Sequence, residues 1–141
     1  MADLFYKDKT LTILPNLNTT YITDMYRTFS QCYNLITIPN FDTSNVTNMH
    51  EMFFKAGYNS TEFDLDLEGF DTSKVENMQW MLWNAGYNST KFVTNITIKN
   101  PNARLYDYMF DGVATKTGSK ITVNYTSETS DLVDQMIATK S

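Results

Sequence analysis

The side chains that could perform acid–base or nucleophilic chemistry are few and scattered. The chain has one histidine, His50, and one cysteine, Cys32. His50 has no nucleophile and no second histidine beside it, and Glu51 is not part of an HExxH zinc motif. A polar position on a solvated helix explains His50 better than a catalytic base does. A lone cysteine excludes an intrachain disulfide and a cysteine-based zinc site, and it predicts a small buried side chain.

A row of acidic residues in a central alternating segment is the other candidate for chemistry. Asp64, Asp66 and Glu68 alternate with Leu65 and Leu67, so the carboxylates are predicted to share the outer face of a strand whose leucines face the core. Carboxylate oxygens can bind calcium, but no Asp-rich loop with fixed glycines accompanies them. The sequence therefore favours a solvated acidic patch, and it predicts no catalytic residue, no metal site and no cofactor.

An internal repeat organises the elements that position these residues. Residues 41–69 begin with FDTSNVTNMHEMF and residues 70–100 with FDTSKVENMQWML, and both continue to AGYNST. Fainter copies flank them. Equivalent positions recur every 24 to 30 residues, at Met25, Met49, Met78, Tyr106 and Met136. A period of this length is typical of a leucine-rich-repeat-like solenoid.

Each copy predicts a strand, a turn and a short helix. The strand runs alternate apolar and polar residues, and one apolar side chain from each is expected to join a buried ladder along parallel strands: Ile13, Ile38, Leu67, Ile98 and Val123. Asp42 and Asp71 are placed to form Asx-turns. An apolar face at helical spacing then follows, at Val46, Met49, Met52 and Phe53.

These units predict an α/β repeat solenoid, a leucine-rich-repeat-like right-handed coil with one parallel β-sheet of about five strands and short helices on the opposite side. Residues 1–141 are predicted to form a single solenoid domain. Its expected segments are an N-terminal cap and first strand at 1–21, repeats at 22–40, 41–69, 70–100 and 101–125, and a C-terminal capping helix at 126–141.

The phrase FDTSNVTNM, followed by Met-Phe and a Leu-x-Leu strand, resembles the BspA-like leucine-rich repeats. These occur in surface proteins of mycoplasmas, lactobacilli, listeriae and gut anaerobes, and in some phage proteins. The similarity is most specific over residues 41–98 and extends weakly over 11–123. Phe41 and Phe70 depart from the family pattern, which usually has Trp there. The resemblance implies a right-handed solenoid with surface exposure and a role in adhesion or recognition, with no shared cofactor or catalytic residue.

Composition restricts the partners and the location. The formal net charge of −5 argues against nucleic acid, and no apolar stretch approaches the roughly 20 residues of a membrane span. The N-terminus lacks the apolar run of a signal peptide. We expect an extracellular, cell-surface or virion-surface location and a protein or glycan partner. A phage virion component, which could be an oligomer, needs no signal peptide; an excised bacterial repeat region is the alternative.

Two surfaces are candidates for partner binding. The positions of Glu51 and Phe54 vary between copies, which predicts an aromatic band outside the core on the helical side, formed by Phe54, Trp80, Trp83 and Tyr108. The alternative is that both tryptophans fold back over loop tyrosines and are buried. The rival surface is the outer face of the sheet, with Asp64, Asp66, Glu68, Thr97 and Lys99.

The sequence thus favours a non-enzymatic surface recognition or adhesion module. The first alternative is a structural brick of a virion or surface assembly with no separate ligand. A carbohydrate-active enzyme is less favoured, because a single acidic stripe does not supply the converging carboxylates of a catalytic cleft.

Overall fold

The computed structural model describes residues 1–138. Within that range the elements are two strands and one helix: β1 (Val93–Ile98), β2 (Lys120–Tyr125) and α1 (Ser130–Ala138). β1 and β2 pair in parallel, with Ile96 opposite Val123. The predicted fold, an α/β coil with about five strands and several short helices, is therefore wrong.

Successive repeats nevertheless stack through backbone hydrogen bonds. Parallel bridges join one residue of each repeat to the next, in the series Asp24, Asn48, Asn77 and Leu105. The residue after each bridge donates its N–H to the neighbouring repeat, as Met49 does to the Asn77 carbonyl at 2.8 Å. We call each repeat in this stack a layer. Corresponding residues of neighbouring layers consequently lie side by side.

The segments predicted as short helices are runs of consecutive turns. Alternate N–H groups bond to the next layer, as from Glu51 to the Gln79 carbonyl at 3.1 Å, and the intervening ones bond three residues back, as from Met52 to Met49 at 3.1 Å. An α-helix instead bonds each N–H four residues back. The φ angle of Glu51 is 53°, which is outside the helical region. The predicted apolar face is correct, however, because its members are fully buried: Val46, Met49, Met52 and Phe53.

Side-chain oxygens replace much of the expected strand pairing. Around residues 63–67 the Asp64 N–H donates to the Ile36 carbonyl at 2.7 Å, but the Leu67 N–H donates to the hydroxyl of buried Thr94 at 2.9 Å. A hydroxyl that takes a backbone N–H competes with strand pairing. The extended runs before β1 therefore have isolated cross-layer bonds, whereas β1 and β2 form a continuous ladder.

The predicted apolar ladder is correct only in its middle. Leu67 and Ile98 are fully buried, and Ile38 is 8% exposed. Ile13 is 62% exposed, while the next residue, Leu14, is buried. At the other end Ile98 lies opposite Tyr125, so the last strand is shifted by two residues from the alignment that the sequence suggested.

The core is a column of side chains contributed by successive layers. The ring of Phe29 stacks on Phe5 and on Phe53, with centroids 5.5 Å apart in both pairs. Cys32 lies in the same core, as predicted, with its Sγ atom 3.0 Å from the Phe5 carbonyl oxygen. Burial raises the pKa of this thiol to about 12. The thiol therefore stays protonated and acts as a small packing group.

The two ends of the stack are covered differently. The N-terminal residues add a strip with the same bonding pattern, in which Asp3 donates its N–H to the Tyr26 carbonyl at 2.8 Å. At the other end α1 lies where the sequence predicted a helix, and it buries Val133 and Met136. Residues 139–141 of the predicted capping segment lie outside the described residues. No helix in residues 1–138 is long and apolar enough to cross a membrane.

Candidate binding groove

Two rows of equivalent side chains run along the turn side of consecutive layers. The first row contains Glu51, Trp80 and Tyr108, and the second contains Phe54, Trp83 and Asp111. Cross-layer bonds keep the rows in register, as from the Trp80 N–H to the Asp107 carbonyl at 3.0 Å. Since backbones bonded in this way lie about 4.8 Å apart, the side chains of each row form a wall parallel to the stack.

Left-handed backbone positions the first wall. Glu51, Trp80 and Tyr108 have φ angles of 53°, 54° and 55°. A bulky residue in this region is uncommon and strained, so the surrounding bonds must enforce it. Here the turn places Met78 and Met81 in the core, while Trp80 between them is half-buried. In each of these layers, the residue that presents its side chain to the first wall therefore has a strained backbone.

The walls enclose an open groove of about 380 Å³. All four predicted aromatic residues line it: Phe54, Trp80, Trp83 and Tyr108. Tyr108 is 46% exposed, and both tryptophans are half-buried. The loop tyrosines Tyr58 and Tyr87 instead stack on each other, with centroids 5.1 Å apart. The structure thus brings the predicted aromatic residues together, with their rings partly accessible.

Trp83 is held rigidly in the second wall. Its ring stacks on Phe54 with a centroid distance of 4.8 Å and an interplanar angle of 15°. Its Nε1–H donates to Oδ2 of Asp111 at 3.1 Å. The Lys55 Nζ atom lies 5.2 Å from the Trp83 ring centroid, which is within cation–π range. Neighbours in the two adjacent layers therefore hold this indole in place.

His50 supports the first wall from behind. Its ring lies between Tyr26 and Trp80, at centroid distances of 5.2 and 5.8 Å. Its Nε2 atom is inaccessible to solvent and lies 3.5 Å from Oε1 of Glu51. The prediction of a solvated helix residue is therefore wrong. His50 is a half-buried packing residue on a turn, and it helps to orient both Trp80 and Glu51.

The rival surface has the predicted alternation of exposed carboxylates and buried leucines. Asp64, Asp66 and Glu68 are exposed, with Leu65 and Leu67 buried behind them. On the same face Thr97 is half-buried, and the exposed Lys99 has its Nζ 3.7 Å from Oδ1 of Asp71. Among residues 1–138, no three or more His, Cys, Asp or Glu side chains are grouped to hold a metal ion.

Sequence reasoning selected the aromatic residues of the groove but not its two carboxylates. Glu51 and Asp111 occupy the same repeat positions as Trp80 and Trp83. Acidic residues at a variable surface position look like ordinary solvated charges when they are taken alone. The available signal was the alignment itself, because Glu51 shares its column with Trp80 and Asp111 shares its column with Trp83.

The stacked layers and their outward rows identify the chain as a repeat protein that presents equivalent side chains along a continuous surface. The chain belongs to the family described as Mycoplasma protein of unknown function, DUF285, whose profile matches residues 1–124. This is the BspA-like surface repeat family that the FDTSNVTNM phrase resembles, and the chain is a mycoplasma-type surface repeat protein. No curated protein and no solved structure matched the chain.

Proposed function

We propose that this protein is a non-enzymatic recognition or adhesion module that binds a protein partner at a cell or virion surface through the aromatic groove. The observation that carries the proposal is the convergence of Phe54, Trp80, Trp83 and Tyr108 on one groove of about 380 Å³. Concave sites of this size with aromatic walls and a few polar groups are typical ligand sites.

Preorganisation supports this assignment. Tryptophan and tyrosine are enriched among the residues that dominate binding energy at interfaces. The Phe54–Trp83 stack and the Trp83–Asp111 hydrogen bond already immobilise one wall. Binding to a fixed wall loses less side-chain entropy than binding to mobile side chains does. Membership of a surface repeat family agrees with a role in contacts with other molecules.

The contacts of the groove carboxylates favour binding over catalysis. Asp111 accepts the indole N–H of Trp83, and Glu51 lies against the inaccessible Nε2 of His50. Both acids thus have packing partners within the walls, and the Nε2 atom of His50 is inaccessible to solvent. We therefore expect no turnover of peptidoglycan, host glycans or esters that survives further purification of the protein.

The test is binding of the purified chain to a panel of immobilised extracellular-matrix proteins and glycans. Each positive is repeated with Trp80→Ala and with the control D64N/D66N, which alters the rival face. We expect one or more of the immobilised proteins to bind the wild-type chain. Trp80→Ala should lower the affinity at least roughly tenfold, and the control should bind with wild-type affinity. Loss of binding in the control alone would move the site to the sheet face, and absence of any bound protein would refute the proposal.

A structural role in an assembly is the second candidate, because a second apolar site lies at the C-terminal end. Phe110, Ile121, Val123 and Ile137 line a pocket of about 210 Å³ there, beside the last strand of the sheet. An edge strand with apolar neighbours can pair with another chain. Light scattering distinguishes this role: a concentration-dependent oligomer that Ile121→Lys dissociates would support it, and a monomer at all concentrations would exclude it.

A further inference from the structure

The last strand of the sheet, β2, has one unpaired edge. Among residues 1–138 the sheet contains only β1 and β2, so β2 has a neighbouring strand on one side. The Lys120 N–H donates to the Phe92 carbonyl at 2.8 Å, and successive residues of a strand direct their backbone groups to opposite sides. The N–H and carbonyl groups of Ile121, Val123 and Tyr125 therefore point away from β1. This edge is a row of backbone donors and acceptors that another strand can pair with.

The features that usually protect an edge strand are missing from the middle of β2. Residues 121–125 read ITVNY, with no proline and no charged side chain, and the register with β1 runs without a bulge. Proteins commonly use charges, prolines and bulges to keep an edge from pairing. Apolar surface also lies beside this edge, since Ile137 lines the 210 Å³ pocket and is 48% exposed. The edge and the pocket together suit an extended segment that adds to the sheet.

We propose that β2 pairs antiparallel with β2 of a second copy of this chain, about a two-fold axis at Val123, so that the protein forms a dimer. In this register Val123 lies opposite Val123 of the second copy, and Ile121 lies opposite Tyr125. All the outward backbone groups then meet as hydrogen-bonded pairs of an antiparallel ladder. A register shifted by one residue would set outward groups against groups already bonded to β1. The strand is therefore complementary to itself, as a two-fold interface requires.

The side chains on the core face of β2 agree with this register. Ile96 and Ile98 of β1 are fully buried, and they lie opposite Val123 and Tyr125. Val123 and Tyr125 therefore share the core face with Ile121, which lines the pocket of about 210 Å³. Tyr125 is 58% exposed in the single chain. In the dimer its ring would lie over Ile121 of the second copy and cover that pocket.

The outer face of β2 is compatible with the same pairing. Thr122 lies opposite Asn124 of the second copy, so two neutral polar side chains meet on each side of the axis. Lys120, the only charged residue of β2, lies beyond the paired residues 121–125, and like charges are not opposed. This inference rests on the assembly role given above as the second candidate function, and it specifies the surface and the partner of that role. It does not depend on what the aromatic groove binds.

Disulfide crosslinking tests the register. Thr122 and Asn124 of the second copy would form a non-hydrogen-bonded pair with Cα atoms about 4.5 Å apart, which is within disulfide range. Thr122→Cys and Asn124→Cys are prepared separately, mixed and oxidised, and we expect a disulfide-linked dimer chiefly in the mixture. Asn95→Cys mixed with Thr97→Cys is the control, because these residues are the β1 neighbours of the same positions and should give no dimer. Cys32 is buried with its pKa raised to about 12, so it does not compete.

Light scattering of Val123→Pro measures the same contact independently. Proline removes an outward N–H and places its ring at the edge, while the bonds to β1 come from the residues on either side and are retained. We expect the wild type to have twice the mass of one chain, and the variant to dimerise at least roughly tenfold more weakly. Val123→Thr keeps the N–H and should dimerise like the wild type. A wild type that stays monomeric, or that grows beyond two copies, would overturn the inference.

These outcomes are distinguishable from failure of the proposed functions. Trp80→Ala leaves the β2 edge unchanged and should dimerise like the wild type. If the two cysteine variants crosslink in the mixture but the wild type binds no immobilised protein, recognition by the groove is wrong and the dimer stands. If Ile121→Lys dissociates an oligomer whose cysteine variants crosslink no better mixed than alone, the assembly role stands and the two-fold pairing is wrong.

Discussion

Thr72 and Thr97, 25 residues apart in the chain, are joined by a hydrogen bond of 2.7 Å from the Thr72 hydroxyl to the Thr97 carbonyl. The same hydroxyl accepts the Lys99 N–H at 2.9 Å. Thr72 is fully buried, and Thr43 makes the equivalent pair of bonds to Asp71 one layer earlier. These buried hydroxyls perform the cross-layer pairing that a continuous sheet would otherwise supply.

Replacing Thr72 with Val is expected to lower the free energy of unfolding by about 1–3 kcal/mol for each backbone group left without a partner. Valine keeps the shape of the side chain, so the loss reports the hydroxyl and not a cavity. Thr72→Ser retains the hydroxyl and is the control. Urea unfolding measures both variants. A valine variant no less stable than the serine variant would show that the hydroxyl does not hold the layers together.

Gly57 is required by its surroundings. Its φ angle is +59°, and a Cβ atom there would lie 2.2 Å from Cδ2 of Phe63. Gly57→Ala is therefore expected to destabilise the fold by more than about 1 kcal/mol through backbone strain and overpacking. Gly69→Ala is the matched control, since a Cβ there meets nothing within 4 Å. Thermal unfolding that shifts equally in both variants would contradict this packing.

The sequence predicted what is buried far better than how the backbone is bonded. The apolar residues from Val46 to Phe53 recur at three- and four-residue spacing, which predicts a helix. A run of alternating turns buries the same positions. Periodicity cannot separate the two structures, since the choice depends on whether alternate N–H groups find carbonyls in a neighbouring layer. That is a property of the stacked repeats and not of one segment.

The groove, too, could be predicted only in part from the sequence. Alignment of the repeats identified Trp80 and Trp83 as outward positions, because those columns tolerate polar residues. It could not show that the two columns face each other, which depends on the left-handed backbone at Glu51, Trp80 and Tyr108. The Asx-turns were easier, since they involve neighbouring residues: the Ser73 N–H donates to Oδ1 of Asp71 at 3.0 Å, as predicted.

Acid is expected to weaken these Asx-turns. The backbone hydrogen bond from Ser73, with smaller effects from the Ser73 hydroxyl and Lys99, lowers the pKa of Asp71 below its usual value. A lowered folded-state pKa means that the carboxylate contributes stability above its unfolded pKa of about 3.9, and that this is lost as pH falls through the folded value. Stability should therefore decline below about pH 4.

Asp71→Asn tests this pH dependence. The amide oxygen of asparagine can still accept the Ser73 N–H but has no proton to gain in acid. We expect the variant to unfold at nearly the wild-type urea concentration at neutral pH and to show a shallower loss of stability between pH 5 and roughly pH 3. An acid transition identical in variant and wild type would assign the loss to other carboxylates.

Substitution of Met78 tests whether binding at the groove depends on the packing of the core beneath it. Its side chain is fully buried, and its N–H donates to the Leu105 carbonyl at 2.7 Å. Met78→Ala is expected to cost about 2–5 kcal/mol, because the rigid layers cannot collapse fully into the space left behind. Gln79→Ala, at the adjacent half-buried position, is the control and should cost less than about 1 kcal/mol. Below its unfolding temperature the Met78 variant should still bind whatever the groove binds. A variant that stays folded but loses binding would show that the wall depends on core packing beneath Trp80.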